Sequence, residues 1–483
     1  MVTPSSPVRS PMSESSPSFL RGISARFRRI ARRKTHQLVR LSRKSVELGL
    51  LLGGAALVAL VSLGFAQMAD LALHWNAAWI GRSPWLAFVL LPFGLAAIRW
   101  LTLRLAPNAS GSGIPQVIGA LSLPAGPSQY SLVSLRQTVW KIPLTFFGLL
   151  AGASIGREGP SVQVGAAVML AWGRFWKKRR LPLRGFHNNE LIAAGAAGGL
   201  AAAFNAPLAG VIFAIEELGR GTPLRWQRLV LIGVLASGFM VVALAGNNPY
   251  FGVFGGGTVV NMVGWVLLCG LVNGIVGGIF GRLLGKGPTV LVPAKWRAGV
   301  RAHPIMTAFV LGIALAALGW FMGSATYGTG YGAAAQLLAG RELDQQGFGL
   351  AKVAATLASY WAGIPGGIFT PALTAGAGIG ESIWRLMDGI VDQRVLVLIS
   401  MAAFLAAATQ APLTASVVVM EMTGSQPMLF WLLLGSLSGS LVSRQFCPQA
   451  FYHLAAGRFR RQAIVDAGRA AKQASAPPAS SSL

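Results

Sequence analysis

The sequence predicts an all-α polytopic membrane protein built from many tilted and broken helices. Hydrophobic residues make up 53% of the 483 residues and charged residues only 11%, whereas soluble proteins carry about 25% charged residues. Apolar segments recur from residue 46 to residue 443. The chain also contains 61 glycines, which membrane helices use for close packing and for breaks. We therefore assign residues 46–455 to one transmembrane domain.

Both termini are polar. Residues 1–20 are rich in Ser and Pro, which predicts disorder, and residues 18–45 are rich in Arg, which allows a basic surface helix. This segment also resembles an organellar transit peptide, being rich in Arg and Ser and poor in acids. A cytoplasmic tail is the preferred interpretation, because the apolar run at 46–66 is too long for a signal-peptide core. Residues 1–45 and 456–483 are thus predicted to be cytoplasmic tails.

The net charge of +27 raises the possibility of nucleic-acid binding. The distribution of the charge argues against it, because Lys and Arg cluster just outside apolar segments, at residues 26–34, 177–180, 295–301 and 458–461. Basic residues in this position mark the cytoplasmic ends of membrane spans. We expect a multi-pass protein of the cell inner membrane with no nucleic-acid partner.

The apolar segments fall into two groups by length. Four are long enough to cross the bilayer: 46–66, 226–245, 257–283 and 303–322. Three others are short and bounded by Gly or Pro: 141–153, 161–173 and 366–380. At about 1.5 Å per residue they cannot span about 30 Å of hydrocarbon. Short interrupted segments of this kind are typical of helices that break near the membrane midplane.

The chain carries an internal repeat. Residues 201–208 (Ala-Ala-Ala-Phe-Asn-Ala-Pro-Leu) match residues 406–413 (Ala-Ala-Ala-Thr-Gln-Ala-Pro-Leu), and the same 205-residue offset carries Glu216 to Glu421. Upstream, residues 156–160 and 367–371 share a Gly-x-x-x-Pro pattern at an offset of 211. A chance match in an Ala- and Gly-rich sequence is the alternative. Two ordered matches favour two related halves, at about 46–250 and 257–455, with a site at their interface.

Glu158 is the most informative ionisable residue. It lies between apolar runs inside Gly-Arg-Glu-Gly-Pro, at residues 156–160. An ionisable group at membrane depth is costly and indicates function by default. Pro160 suits the first turn of a helix, and helix N-termini bind anions through free N–H groups. A carboxylate at such a site would compete with a permeating anion and could carry a proton. The alternative is a salt bridge between Glu158 and Arg157 at a loop edge.

Two further Gly- and Pro-punctuated turns accompany this one. Residues 367–371 (Gly-Ile-Phe-Thr-Pro) offer a second helix N-terminus without an acid, and residues 110–115 offer a third turn with the hydroxyl of Ser112. Each is a weak signal alone. Because partial charges hold an anion without trapping it, three converging turns would suit a permeating ion.

Glu216 and Glu217 end the first repeat of the Ala-rich segment. Glu216 has a repeat mate in Glu421, which favours a structural role at a helix end. Glu217 has no such mate, so it is the better candidate for a specialised role. The residues alone leave these two interpretations open.

Other chemistries find little support. Cys269 and Cys447 give neither a disulfide framework nor a metal set, and the five histidines form no metal-binding pair. No nucleophile motif is present. We therefore predict that the protein is not an enzyme, has no catalytic or metal-binding residues, and needs no cofactor.

The three turns carry a family resemblance. Residues 111–115 (Gly-Ser-Gly-Ile-Pro), 156–160 (Gly-Arg-Glu-Gly-Pro) and 367–371 (Gly-Ile-Phe-Thr-Pro), in this order, resemble the signature sequences of the CLC family of chloride channels and chloride/proton antiporters. Residues 205–210 and 411–414 fit it too, so the resemblance covers about residues 45 to 455. Gln116, where an acid is common, and Thr370, where Ala is frequent, depart from the usual pattern. The short C-terminal tail favours the prokaryotic type.

The resemblance implies an inverted-repeat fold, a homodimer, and one anion pathway in each subunit. It implies an anion site formed by Ser112, Gly113, Arg157, Gly159, Ile368, Phe369 and Thr370. A tyrosine hydroxyl usually completes the site, and Tyr452 is the best match. Glu158 corresponds to the outer gating glutamate, and Glu217 to the inner glutamate that passes protons in exchangers.

Proton-coupled chloride antiport is therefore the expected function, with chloride and protons as the transported ions. Glu217 favours it, because channel-like members usually lack an acid at this position. A passive, pH-gated chloride channel is the alternative. Ser112 resembles chloride-preferring rather than nitrate-preferring members and disfavours a fluoride exporter. A membrane enzyme or a non-transporting scaffold would need another use for Glu158.

Overall fold

The structure, a computed structural model, describes residues 17–179, 187–220, 228–254, 260–388 and 390–475. Over these residues the chain is helical and forms no β-strand, which confirms the all-α fold class. Disorder was predicted for residues 1–20, of which 1–16 lie outside the described residues, as do residues 476–483 of the C-terminal tail. Residues 17–20 are helical, as the start of the helix Pro17–Arg82, so this part of the prediction is wrong. Two compact units are recognised, Met1–Leu50 and Leu51–Leu483.

The first part of the described chain contains nine α-helices. They are α1 (Pro17–Arg82), α2 (Ala87–Leu105), α3 (Ile114–Leu121), α4 (Pro127–Leu132), α5 (Leu135–Ala151), α6 (Glu158–Lys178), α7 (Asn188–Phe204), α8 (Pro207–Phe213) and α9 (Arg228–Ala245). A π-helical turn, Ala214–Leu218, continues α8. The basic segment 18–45 is thus helical as part of α1, while its position on the membrane surface stays a prediction.

The second part of the described chain contains ten more. They are α10 (Met262–Lys286), α11 (Arg297–Ala302), α12 (Pro304–Phe321), α13 (Tyr331–Leu338), α14 (Phe348–Trp361), α15 (Phe369–Leu386), α16 (Gln393–Thr409), α17 (Pro412–Thr423), α18 (Leu429–Phe446) and α19 (Phe451–Ser475). Helix α19 extends through most of the predicted C-terminal tail.

Five helical segments of the described chain are long and apolar enough to cross a membrane: Ser45–Arg82, Pro84–Leu105, Met262–Lys286, Pro304–Phe321 and Gln426–Phe446. Three of them overlap the predicted spans 46–66, 257–283 and 303–322. The predicted span 226–245 corresponds to a shorter apolar helix, Val230–Ala245. Sequence reasoning missed the segments ending at Leu105 and Phe446, because Pro92 and two arginines interrupt the first and Gly and Ser dilute the second.

Two of the three short apolar segments, 161–173 and 366–380, lie in helices that begin deep inside the protein. Helix α6 is buried continuously from Glu158 to Leu170, and α15 from Phe369 to Glu381. Both helices therefore start in the interior, and their N-terminal N–H groups, which lack intrahelical partners, point into it. This arrangement positions the site described below.

Glycines allow the central helices to pack at very short distance. A Cβ atom on Gly165 of α6 would lie 2.2 Å from the carbonyl oxygen of Gly195 in α7, and one on Gly376 of α15 would lie 2.5 Å from the carbonyl oxygen of Ser400 in α16. Small residues at these crossings let backbones approach as membrane helices do. These contacts join α6 to α7 and α15 to α16 beyond the first turns of α6 and α15.

Candidate functional site

The three Gly- and Pro-punctuated turns meet through backbone hydrogen bonds. The N–H of Gly156 donates to the carbonyl of Gly367 at 2.8 Å, and the N–H of Gly367 donates back to Gly156 at 2.7 Å. Likewise the N–H of Gly111 donates to Ile364 at 3.0 Å, and the N–H of Gly366 donates to Gly111 at 3.1 Å. Turns that are far apart in sequence are thereby fixed side by side, and the starts of α3, α6 and α15 become neighbours.

Gly159 and Gly113 make this convergence possible. A Cβ atom on Gly159 would lie 2.2 Å from Oγ of Ser112 and 3.2 Å from Cα of Gly367. Gly113 has a φ of +106° and precedes α3 as its N-cap, a conformation that other residues rarely adopt. The first turn of α6 therefore lies directly against Ser112.

Four side chains in this region carry buried polar atoms without a hydrogen-bond partner in the described protein. The atoms are Oγ of Ser112, both carboxylate oxygens of Glu158, Oγ1 of Thr370 and the hydroxyl oxygen of Tyr452. None of the four side chains is more than 1% exposed. Buried polar groups are almost always paired, so a cluster of unpaired groups indicates a site for a ligand.

Glu158 is the first residue of α6 and is fully buried. A Cβ atom on Gly156 would lie 2.2 Å from its Oε2, so the carboxylate folds back over the turn that pairs with Gly367. Thr370 lies close enough to interact with it electrostatically. The carboxylate thus occupies the meeting point of two helix N-termini.

The neighbouring Arg157 is engaged elsewhere. Its Nη1 lies 2.6 Å from Oδ1 of Asp70 and donates to the carbonyl of Ala66 at 2.5 Å, and its guanidinium lies 5.6 Å from the ring centre of Tyr250. The salt bridge of Arg157 is therefore with α1. The alternative of an Arg157–Glu158 pair at a loop edge is wrong for this structure, because Glu158 is buried and its oxygens are unpaired.

The start of α15 supplies the second set of donors. Ile368 is its N-cap, Phe369 its first residue, and both are almost fully buried. The first N–H groups of a helix carry a partial positive charge that attracts anions. Gly159 near the start of α6 contributes the same kind of donor from the other side of the site.

Tyr452 enters the site from α19. Its ring stacks on that of Phe369, with centroids 6.1 Å apart and planes 11° from parallel. Ser112, Glu158 and Glu217 lie within electrostatic range of its hydroxyl. The hydroxyl is therefore near the site that the resemblance assigned to it, although the sequence around Tyr452 gave only a weak signal.

Glu217 lies in the π-helical turn and is 1% exposed. Its Oε1 is 3.5 Å from Nε2 of His453, and neither carboxylate oxygen accepts a hydrogen bond within the described protein. Single π-turns inside helices often mark functional positions. His453 follows Tyr452 in α19, so the same helix turn contacts Phe369 through Tyr452 and lies beside Glu217 through His453.

Glu216 behaves differently from its neighbour. Its carboxylate accepts from the N–H groups of Leu413 at 3.1 Å and Thr414 at 2.6 Å, at the start of α17. Glu421 accepts from Leu208 at 3.1 Å and Ala209 at 2.6 Å, at the start of α8. Each glutamate thus caps the helix of the other repeat.

Two buried lysines were missed by sequence reasoning. Nζ of Lys141 donates to the carbonyls of Ala109 and Gly111 and to Oε1 of Gln163 at 2.8–3.0 Å, so it supports the Ser112 turn from behind. Lys352 lies at the same 211-residue offset as Gly156 and Gly367 and supports a second turn through Thr326 and Gly328. A lysine at the edge of an apolar run, repeated at that offset, was the available signal.

A buried site of helix N-termini and hydroxyl groups in a helical membrane protein defines a membrane transport protein for small anions. The model of the voltage gated chloride channel family matches residues 93–444. The chain therefore belongs to this family, the CLC family, and the resemblance seen in the motifs is confirmed.

Curated relatives agree with this assignment. The chain is 31% identical over 445 residues to the H(+)/Cl(-) exchange transporter ClcA of Vibrio cholerae serotype O1 (strain ATCC 39541 / Classical Ogawa 395 / O395), covering 84% of this chain and 87% of the relative. It is also 31% identical over 438 residues to ClcA of Cronobacter sakazakii (strain ATCC BAA-894), covering 80% and 85%.

Solved structures share the fold. A slow cyanobacterial Cl−/H+ antiporter matches with a TM-score of 0.71 and 26% identity, over 86% of this chain and 98% of that one. A CLC-type fluoride/proton antiporter matches with a TM-score of 0.68 at 21% identity, over 85% and 97%. The second likeness concerns the fold alone.

Proposed function

We propose that this protein exchanges chloride for protons across the membrane. The observation that carries the proposal is the cluster of buried, unpaired groups on Ser112, Glu158, Thr370 and Tyr452 at the joined starts of α6 and α15. Hydroxyl and backbone N–H donors bind an anion by partial charges, so the ion can also leave. The relatives named as exchange transporters support the same reaction.

Chloride is held by the Ser112 and Tyr452 hydroxyls and by the N–H groups at Gly159, Ile368 and Phe369. Gly113 shapes the turn that presents Ser112, and Thr370 interacts with the neighbouring carboxylate. Arg157 is not one of the donors, because Asp70 and the carbonyl of Ala66 hold its guanidinium, and its partly neutralised charge acts only from the edge of the site. These donors replace the hydrogen bonds that chloride loses when it leaves water.

Glu158 is the gate and the outer proton carrier. Ionised, its carboxylate competes with chloride for the same positive helix ends; protonated, it no longer does. Glu217 is the inner proton acceptor, since it is buried beside His453 and takes no part in capping a helix. Tyr452 lies within electrostatic range of both glutamates, which supports a coupling between the chloride ion and the proton.

The membrane arrangement follows the basic residues. Lys178 ends α6, Lys286 ends α10, and Arg444 lies in the last turn of α18. We propose that these ends and both termini face the cytoplasm, in the inner membrane. The domain limits stay as predicted, with tails at 1–45 and 456–483 and related halves at 46–250 and 257–455.

A homodimer completes the proposal. Leu208, Ile215 and Leu413, which surround the two reciprocal glutamate caps, are 45–47% exposed in the single chain. Apolar residues around a repeat axis form a self-complementary surface, as a two-fold interface requires. Subunit counting in bilayers would test this: particles that contain a single copy of the chain would contradict it.

The deciding experiment measures reversal potentials in liposomes under separate chloride and pH gradients. The wild-type potential is expected to depend on both gradients. Glu217→Gln should lose the dependence on pH and keep that on chloride, while Glu158→Gln should uncouple chloride flux from protons.

Glu216→Gln is the matched control, because it removes the same charge from the adjacent residue and keeps an oxygen that can accept from α17. It should retain coupling. A wild-type potential that follows chloride alone would instead establish a passive channel, and unchanged coupling in Glu158→Gln would remove the gate from the proposal.

A further inference from the structure

A second cleft lies about the ends of α10 and α18 and the beginning of α19. Its volume is about 590 Å³, and its lining includes Arg282, Lys286 and Arg458 but no aspartate or glutamate. Arg458 donates to the carbonyl of Gly285 in the last turn of α10, which fixes its guanidinium at the cleft. Three cations converge here without a compensating carboxylate in the lining.

The cleft lies at a membrane boundary. Helices α10 and α18 belong to segments long and apolar enough to cross a bilayer, and both end at the cleft. Just before these ends, Ile279 is 42% and Leu441 60% exposed, which gives the neighbouring surface an apolar character. Cationic and apolar surfaces thus meet where a lipid headgroup meets its acyl chains.

We propose that this cleft binds the phosphate headgroup of an anionic membrane lipid. Arginine matches a phosphate with two parallel hydrogen bonds, and lysine adds a point charge. Basic pockets between membrane helices bind such headgroups. A soluble phosphate would use the cations but would gain nothing from the apolar flank, so the lipid is the better fit.

The bound lipid would bear directly on the anion site, a consequence that rests on the proposed function. Phe451 lines the cleft and begins α19. Its ring centre is 5.3 Å from that of Tyr452 and 5.4 Å from that of Tyr360. Tyr452 in turn stacks on Phe369. A lipid that fixes Phe451 therefore fixes the hydroxyl that holds chloride.

Binding is tested first, without reference to transport. The full chain is reconstituted in phosphatidylcholine vesicles with increasing phosphatidylglycerol, and retained lipid is measured by native mass spectrometry and by a fluorescent phosphatidylglycerol. We expect each cation that lines the cleft to contribute about five-fold in affinity. The double variant Arg282→Gln with Lys286→Gln should therefore bind phosphatidylglycerol about 25-fold more weakly.

The matched control is Lys295→Gln with Arg301→Gln, which removes two exposed cations from the segment that follows α10. It should bind the lipid like the wild type. Equal affinity of the cleft variant and the control would overturn the proposal. Displacement of the lipid by equimolar inorganic phosphate would also overturn it, because the site would then be one for a soluble anion.

Transport is tested second. Chloride flux should rise or fall with phosphatidylglycerol content in the wild type and the control, and should lose this dependence in the cleft variant. Phe451→Leu should still bind lipid but lose the dependence of flux. Lipid binding without any such dependence would contradict the link to Tyr452, and because binding is measured separately, failure of the exchange function would leave the lipid site standing.

Discussion

Gly159→Ala adds a single carbon atom beside Ser112 and so tests whether the Ser112 hydroxyl binds the anion. In Gly159→Ala the new Cβ would lie 2.2 Å from Oγ of Ser112, 2.9 Å from its carbonyl oxygen and 3.2 Å from Cα of Gly367. A normal carbon–oxygen contact is more than about 3 Å. The two backbone atoms cannot retreat easily, so the hydroxyl of Ser112 must move by about 1 Å or rotate away.

The cost to anion binding follows from the loss of this one donor. A hydrogen bond to a charged partner contributes about 1.5–3 kcal/mol, and a factor of ten corresponds to about 1.4 kcal/mol. We therefore expect Gly159→Ala to weaken chloride binding by about 10- to 100-fold. Isothermal titration of the purified protein with chloride measures this directly.

The control is Gly165→Ala, two turns further along the same helix. Its Cβ would lie 2.2 Å from the carbonyl oxygen of Gly195, so it separates α6 from α7 rather than displacing Ser112. It should lower the unfolding temperature while leaving chloride affinity nearly unchanged. If Gly159→Ala binds chloride normally, or if adding it to Ser112→Ala causes a large further loss, Ser112 is not the donor displaced.

Three further predictions concern a buried lysine, a helix cap and the selectivity of the site. Lys141→Met leaves three buried acceptors without their donor and should lower the free energy of unfolding by about 3 kcal/mol or more. The variant should show both a lower unfolding temperature and weaker chloride binding. Lys352→Met should show only the lower unfolding temperature, and equal chloride binding in both variants would contradict a role of Lys141 in supporting the anion site. Glu421→Gln should lower the unfolding temperature by removing a charge at the start of α8, at a cost of about 1 kcal/mol, without changing ion coupling; an altered reversal potential would contradict a purely capping role. Ser112→Pro should shift the permeability ratio from chloride toward nitrate, and an unaltered ratio would remove its hydroxyl from the selectivity site.

The sequence could identify the turns because their chemistry is local. Gly, Pro and a lone acid within five residues already specify a helix start at membrane depth, as at residues 156–160. Which turns meet was not local information. The pairing of Gly156 with Gly367 depends on how α6 and α15 pack, and no property of either turn alone encodes it.

The sequence also did not predict which residues the individual charged side chains contact. Arg157 stands next to Glu158 in sequence, yet it pairs with Asp70 from α1, because helix geometry sends neighbouring side chains in different directions. His453, one of five histidines in which the sequence shows no metal-binding pair, lies 3.5 Å from Glu217. Sequence patterns favour partners that are close in sequence, whereas the partners of buried charged residues are set by how the helices pack.

Ionisable residues that support the fold have a counterpart in the other half of the proposed repeat, whereas those with a proposed role in transport have none. The supporting groups occur in both halves: Lys141 has its mate in Lys352, and Glu216 has its mate in Glu421, each with equivalent partners. The two acids that we propose to carry protons do not.

At the same offsets, Glu158 corresponds to Phe369 and Glu217 to Met422. A duplicated scaffold would retain what every copy needs to stay folded, whereas a carboxylate buried without partners destabilises the fold and would be kept only where it acts. On this reasoning, Met422→Glu should lower the stability of the fold without adding proton coupling. Proton coupling would then depend on the asymmetry of the two halves, with one half supplying the acids and the other supplying Phe369 and the start of α15 against which Glu158 moves.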